Sequence, residues 1–178
     1  MVNIPHLTAY ATFLLRVCAV NVNFYQINDL SCKTWVAGCT NLAEDTCCTN
    51  KVQWASSAKY TSYPNSARWI GTVFEPTSDN NGCGRGCDSL TGVQSACLNC
   101  GSDTLITGAS WHLTGGKREA DKDCTEVLVD KAVIDNRVFE VNYNVPQNDT
   151  DTILTLAYNG ATFADVPEYL LQYEAVGV

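Results

Sequence analysis

Histidine is nearly absent from this chain of 178 residues: there are two, and one of them, His6, lies within the first nineteen positions. Proton transfer at neutral pH relies on histidine more than on any other side chain, so most histidine-dependent mechanisms lack their raw material here. Basic residues are also scarce. Eleven Lys and Arg stand against nineteen Asp and Glu, giving a formal charge of -8 and a pI near 4.5. A surface of that sign gains nothing from phosphate or anionic lipid, which excludes nucleic acid and membrane surfaces as expected partners. No apolar run is long enough to cross a bilayer, so no membrane span is expected. Glycine and proline, at 12 and 5, are too few for a disordered or collagen-like chain. What remains is a globular composition, 46% hydrophobic and 17% charged, at a length suited to one domain.

What the chain has in excess is cysteine. Ten occur, at positions 18, 32, 39, 47, 48, 83, 87, 97, 100 and 124. That density fits an oxidising compartment and a disulfide framework rather than a reducing cytosol. Residues 1–19 fit the same compartment: they hold no acidic residue, carry an apolar stretch from Leu7 to Leu15, and end in Val17-Cys18-Ala19, a small-residue pattern that signal peptidase cuts. The expected organisation is therefore a secretory signal over 1–19 and one cysteine-rich domain over 20–178, extracellular in location. Removing Cys18 leaves nine cysteines, enough for four bridges and one thiol over. Cys47 and Cys48 are neighbours, and a bridge between neighbours is strained, so each should reach a different partner. The pairing itself stays open, since eight cysteines allow about 105 connectivities. A zinc site competes for Cys83-x3-Cys87 and Cys97-x2-Cys100. Against it stand the signal-like start, the adjacent pair and the further cysteines that one zinc leaves unexplained; no metal and no cofactor is expected.

Strand patterning dominates the rest. Val20, Val22 and Phe24 alternate with Asn21, Asn23 and Tyr25, and 68–74 and 105–113 are rich in Trp, Ile, Val, Phe and Thr between turn residues. Gly71 and Gly108 inside those runs predict bulges or close backbone approach. Phe139, Val141, Tyr143 and Val145 predict a strand with one apolar face, and 153–158 a return strand, making a hairpin with a polar tip. That tip carries Asn148-Asp149-Thr150, an N-glycosylation acceptor. Asp165-Val166-Pro167-Glu168 predicts the start of one short C-terminal helix. The expected fold is mainly β: a disulfide-stapled antiparallel β-sandwich or Greek-key domain with a short C-terminal helix.

From Val20 the chain reads V-N-V-N-F-Y-Q-I-N-D-L-S-C, then W-V-A-G-C-T-N-L-A-E-D-T-C-C, G-T-V-F and G-V-Q-S-A-C-L. This resembles the cysteine-rich small secreted proteins of fungi, in which an opening Phe-Tyr strand leads to a Cys, a second Cys, an adjacent pair and a later Cys-Leu. The resemblance covers Val20 to Leu98. Some such proteins resemble the crystallin-like fold of yeast killer toxins, and the likeness implies an effector-like or toxin-like protein that acts by contact. Lys117-Arg118-Glu119-Ala120 likewise resembles a kexin-type processing site in a fungal secreted precursor. Cleavage after Arg118 would leave Cys124 as the only cysteine of the second piece and its expected covalent link to the first.

Candidate chemistry is thin. Ser110, His112 and Asp103 are close in sequence, but a catalytic triad is defined by geometry in space, and no catalytic residue is assigned. The acidic residues Glu119, Asp121, Asp123 and Glu126 lack the spacing of a calcium loop. Of the four tryptophans, Trp69 and Trp111 sit in apolar strands and belong to the core. Trp35 and Trp54, flanked by polar residues, are the candidate surface anchors. The leading expectation is a secreted interaction protein that is not an enzyme and binds a host or cell-surface protein or glycan. The rival is a carbohydrate-binding module or lectin using Trp35 and Trp54. Intact-mass and thiol measurements on the secreted protein check the framework: an N-terminus at Val20, four bridges and at most one free thiol are expected, and removing a native bridge should cost about 2 to 5 kcal/mol.

Overall fold

A computed structural model describes residues 20–50, 55–63, 68–76, 82–92, 96–114 and 125–175. Outside the described residues lie the expected signal over 1–19, Trp54, the Lys117-Arg118 pair and Cys124. The architecture is mainly β, in two sheets. The strands in chain order are β1 (Val20–Tyr25), β2 (Trp35–Leu42), β3 (Thr46–Thr49), β4 (Ser57–Thr61), β5 (Trp69–Glu75), β6 (Arg85–Thr91), β7 (Cys97–Leu98), β8 (Gly108–Leu113), β9 (Thr125–Leu128), β10 (Lys131–Ile134) and β11 (Arg137–Glu140). The first sheet runs β11-β10-β2-β1-β4-β7 and the second β6-β5-β8-β3-β9. All pairings are antiparallel except β3 with β9, which is parallel.

The alternation in β1 buries Val20, Val22 and Phe24, and Tyr25, expected on the opposite face, is buried as well at the end of the strand. In β2 the run Val36 to Cys39 is buried throughout, which requires cover on both faces of the strand. One cover is the second sheet, reached by the bridge from Cys39 to Cys48; the other is a helix, α1 (Gln147–Tyr158), packed on β2 and β10. Trp69 and Trp111 are fully buried, as expected. Polar groups tie the sheets across the core: the Trp111 indole N–H donates to the Leu42 carbonyl at 2.9 Å, and the Tyr60 hydroxyl reaches the Thr72 and Ser110 carbonyls at 2.7 and 2.8 Å. The two flagged glycines are places of close approach. A Cβ at Gly71 would stand 2.7 to 2.8 Å from the Tyr60 and Trp69 rings, and one at Gly108 would collide with the Gly82 carbonyl.

Eight cysteines form four bridges: Cys32–Cys97, Cys39–Cys48, Cys47–Cys83 and Cys87–Cys100, with Cα separations of 5.3 to 6.1 Å. Cys47 and Cys48 do reach different partners. Cys83, Cys87, Cys97 and Cys100 are divided among three bridges, so their sulfurs do not converge as a tetrahedral metal site needs.

Two expectations are corrected. The strand expected over 139–145 ends at Glu140, because Asn142 turns the chain: its side-chain oxygen accepts the Asn144 N–H at 3.0 Å and its carbonyl accepts the Val145 N–H at 2.9 Å. Val141 and Val145 stay buried, but Tyr143, expected beside them, is 95% exposed. The return strand expected over 153–158 is instead the second half of α1. Its buried residues, Thr150, Ile153, Leu154, Ala157 and Tyr158, fall at i, i+3, i+4, i+7 and i+8, a helical face hidden by the β-branched composition. The C-terminal helix is present as a 3-10 helix over Glu168–Tyr173. Asp165 does not cap it; Asp165 closes a capping box on Thr162, whose hydroxyl and amide donate to it and hold its carboxyl below the usual range.

The pairing bears on the processing loop. All eight cysteines from Cys32 to Cys100 are used by one another, so none of them remains for Cys124, and the covalent link expected after cleavage at Arg118 loses its partner. The second piece would be held by β9 on β3 and β10 on β2 instead. After cleavage at Arg118, the protein is expected to elute as one species in native size-exclusion chromatography and to give two bands on a denaturing gel run without reductant; a single non-reduced band would restore the Cys124 link.

Candidate functional site

The chain leaves the second sheet and enters the first at Val129-Asp130. The Val129 N–H donates to the Thr49 carbonyl of β3 at 3.1 Å, and the Asp130 N–H donates to the Gly38 carbonyl of β2 at 2.9 Å. A groove of about 960 Å³ opens beside this crossing. Its apolar walls come from Leu42, Val127, Leu128, Val141, Tyr143 and Val145. Val127 and Leu128 are 37% and 49% exposed on β9, the last strand of the second sheet, and Tyr143 stands out from the Asn142 turn. Exposed large apolar side chains are ordinary when scattered; here three of them border one concave surface.

Asp130 lines the same groove. Its two carboxylate oxygens accept the Thr40 N–H at 3.1 Å, and one also accepts the Thr40 hydroxyl at 2.8 Å. Burial pushes its carboxyl above the usual range; the Thr40 bonds and the Lys131 ammonium oppose that, and Glu140 adds to it. Lys131 pairs with Glu140, whose other oxygen accepts the Asn142 amide at 3.0 Å. This polar set braces the turn that presents Tyr143.

A second hollow, of about 620 Å³, lies at the start of β2. Gln26, Lys33, Trp35, Asp135, Asn136 and Asn159 line it. Trp35, expected on the surface, is half-buried, and its indole N–H donates to the Ala37 carbonyl at 2.8 Å. The preceding loop is wrapped around Asp29, whose carboxylate accepts the N–H groups of Ser31, Lys33 and Thr34 at 3.0, 2.7 and 2.6 Å. Burial alone would raise that carboxyl, but the Thr34, Lys33 and Ser31 donors together hold it below the usual range.

The other candidate residues stay apart from both hollows. His112 pairs with Ile70 within the second sheet and Asp103 is exposed on a loop. Asn148 is exposed, but in the first turn of α1 and not at a hairpin tip, and Thr150 of its acceptor motif is buried. Sequence reasoning missed Val127, Leu128, Asp130 and Tyr143. A short apolar pair after an acidic residue was the only local signal for β9, and nothing local says that β9 lies at a sheet edge.

A family model described as ARB_05566_N, N-terminal domain, matches residues 21–131, more than half of the chain. The match starts one residue after the expected mature N-terminus, Val20, and ends at the first residue of β10. No curated protein and no solved structure matches the chain.

The position of Asp130 generates a pH test. An acid whose carboxyl is raised by folding opposes the fold when ionised, so its stabilising contribution is full in acid and is lost as pH rises through the folded-state value. The melting-temperature difference, Asp130→Asn minus wild type, is expected to grow in favour of the variant from pH 4 to pH 7; a flat or falling difference contradicts the burial argument.

Proposed function

The chain belongs to the fungal-named ARB_05566_N family, and from that premise and its four-bridge framework we propose a secreted interaction protein of effector or toxin type, acting by binding rather than catalysis. The observation that carries the reading is the groove at the sheet crossing. Its walls present Leu128, Val127 and Tyr143 to solvent on a backbone stapled by Cys39–Cys48, and apolar anchors on a rigid frame are what contact recognition uses. Extracellular location is supported by the disulfides and by a family match that begins beside the expected mature N-terminus. No helix among the described residues is long and apolar enough to cross a membrane. A non-catalytic role is supported by the lining itself: Asp130 is the one carboxylate among the described residues of the groove wall, and both its oxygens are engaged by Thr40. A two-carboxylate hydrolytic site needs a second acid across the cleft.

The partner fitted to such walls is a host or cell-surface protein that inserts apolar side chains. Fluorescently labelled protein is expected to bind intact host cells saturably, and the double variant Leu128→Glu, Tyr143→Ala to weaken that binding by about tenfold or more with an unchanged melting temperature. Equal binding by the double variant, or turnover of a polysaccharide or peptide by the wild type, overturns the reading.

A further inference from the structure

We propose that the hollow around Trp35 is a saccharide subsite, separate from the groove, that takes an uncharged pyranose ring. Three observations converge on it. First, the platform is preorganised. The Asp29 carboxylate holds Lys33 and Thr34, the Gln26 N–H donates to the Thr34 carbonyl at 3.0 Å, and the Cys32–Cys97 bridge ties the same loop to β7. The indole N–H is already satisfied by Ala37, which sets the ring's orientation before any ligand arrives. A fixed aromatic ring loses little entropy when the apolar face of a sugar lies on it.

Second, the hollow offers hydrogen-bonding groups with capacity to spare. Among the described residues, the side-chain amides of Gln26, Asn136 and Asn159 make no hydrogen bond within the protein. Asp135 accepts the Phe163 N–H at 3.3 Å through one oxygen, leaving the other for a ligand. Amides both donate and accept, as vicinal hydroxyls require, and a carboxylate accepts from two hydroxyls at once. Third, the placement of these groups is fixed by backbone geometry. Asp135 and Asn136 have φ of 50° and 63° and form the two-residue turn joining β10 to β11. Asn159 caps the C-terminal end of α1 and is followed by Gly160, with φ of 68°. The Lys33 ammonium and the Asp135 carboxylate line the hollow together and offset one another, and the net charge of -8 disfavours sulfated or uronic sugars, so an uncharged ring is the ligand that fits.

The test is titration calorimetry with soluble chito-, cello-, manno- and laminari-oligosaccharides and with heparin, alongside NMR of the indole N–H signals assigned through Trp35→Phe. Saturable binding of at least one uncharged oligosaccharide is expected, with the Trp35 signal shifting. Trp35→Ala should weaken binding by about tenfold or more, and Asp135→Asn, which tolerates the same backbone, should weaken it as well. Leu128→Glu should bind the oligosaccharide like the wild type, which separates this site from the groove whatever becomes of the groove's own partner. No saturable binding of any uncharged oligosaccharide, binding of heparin alone, or full binding by Asp135→Asn and Trp35→Ala would overturn the proposal; if Trp35→Ala does not fold, Asp135→Asn and the Trp35 signal decide.

Discussion

Two adjacent cysteines in one short strand hold the molecule together. Successive side chains of a strand point to opposite faces, so Cys47 and Cys48 of β3 must bond in opposite directions. Cys48 crosses the core to Cys39 on β2, and Cys47 goes to Cys83 at the turn before β6. Both are fully buried. The consequence is that β3 is fixed to the opposite sheet on one side and to its own sheet's distal turn on the other. The cross-core hydrogen bonds from Trp111 and Tyr60 depend on that spacing, since each joins a side chain of one sheet to a carbonyl of the other.

The staple also explains why concave surfaces survive at the margins. A short chain with bridges can leave apolar area uncovered that an unbridged domain would need for its core. Both hollows lie where a bridge and a hydrogen-bonded carboxylate brace the backbone. Cys39–Cys48 and Asp130 stand at the groove, and Cys32–Cys97 and Asp29 stand behind Trp35. Asp29 gathers three backbone N–H donors from the loop before β2, and Asp130 takes the N–H and the hydroxyl of Thr40 within β2. The two differ in burial, which raises Asp130 and leaves Asp29 lowered. A rigid loop keeps its contact geometry when free, which is the condition under which a small surface can still bind well.

Much of the fold was legible where the signal was local. The alternation of Val20, Val22 and Phe24, the apolar and Thr-rich runs expected at 68–74 and 105–113, which fall on β5 and β8, and the close approach at Gly71 and Gly108 were readable from their neighbours. The 139–158 region failed for two different reasons. Asn142 bonds its own neighbours and ends a strand whose alternation continues on paper through Val145. In 147–158, Thr, Ile and Leu read equally well with period two or as a helix face, and contact with β2 and β10 selected the helix. Of the candidate site residues, Trp35 was singled out by its polar flanks and lies, half-buried, in the wall of the second hollow. The groove was not legible, because Leu42, the Val127-Leu128 pair and Tyr143 come from three distant places in the chain.

The sequence by itself determined the class of this protein: a cysteine-rich, acidic, mainly β chain in which neighbouring cysteines diverge. Those properties follow from composition and from the two-residue period of a strand, which need no partner to be read. Only the tertiary structure decided which cysteine meets which, that β9 ends its sheet with Leu128 exposed, and that Asp130 stands where the chain passes from one sheet to the other. Each of these depends on which segment covers a given face, and that choice is made by contacts between residues far apart along the chain.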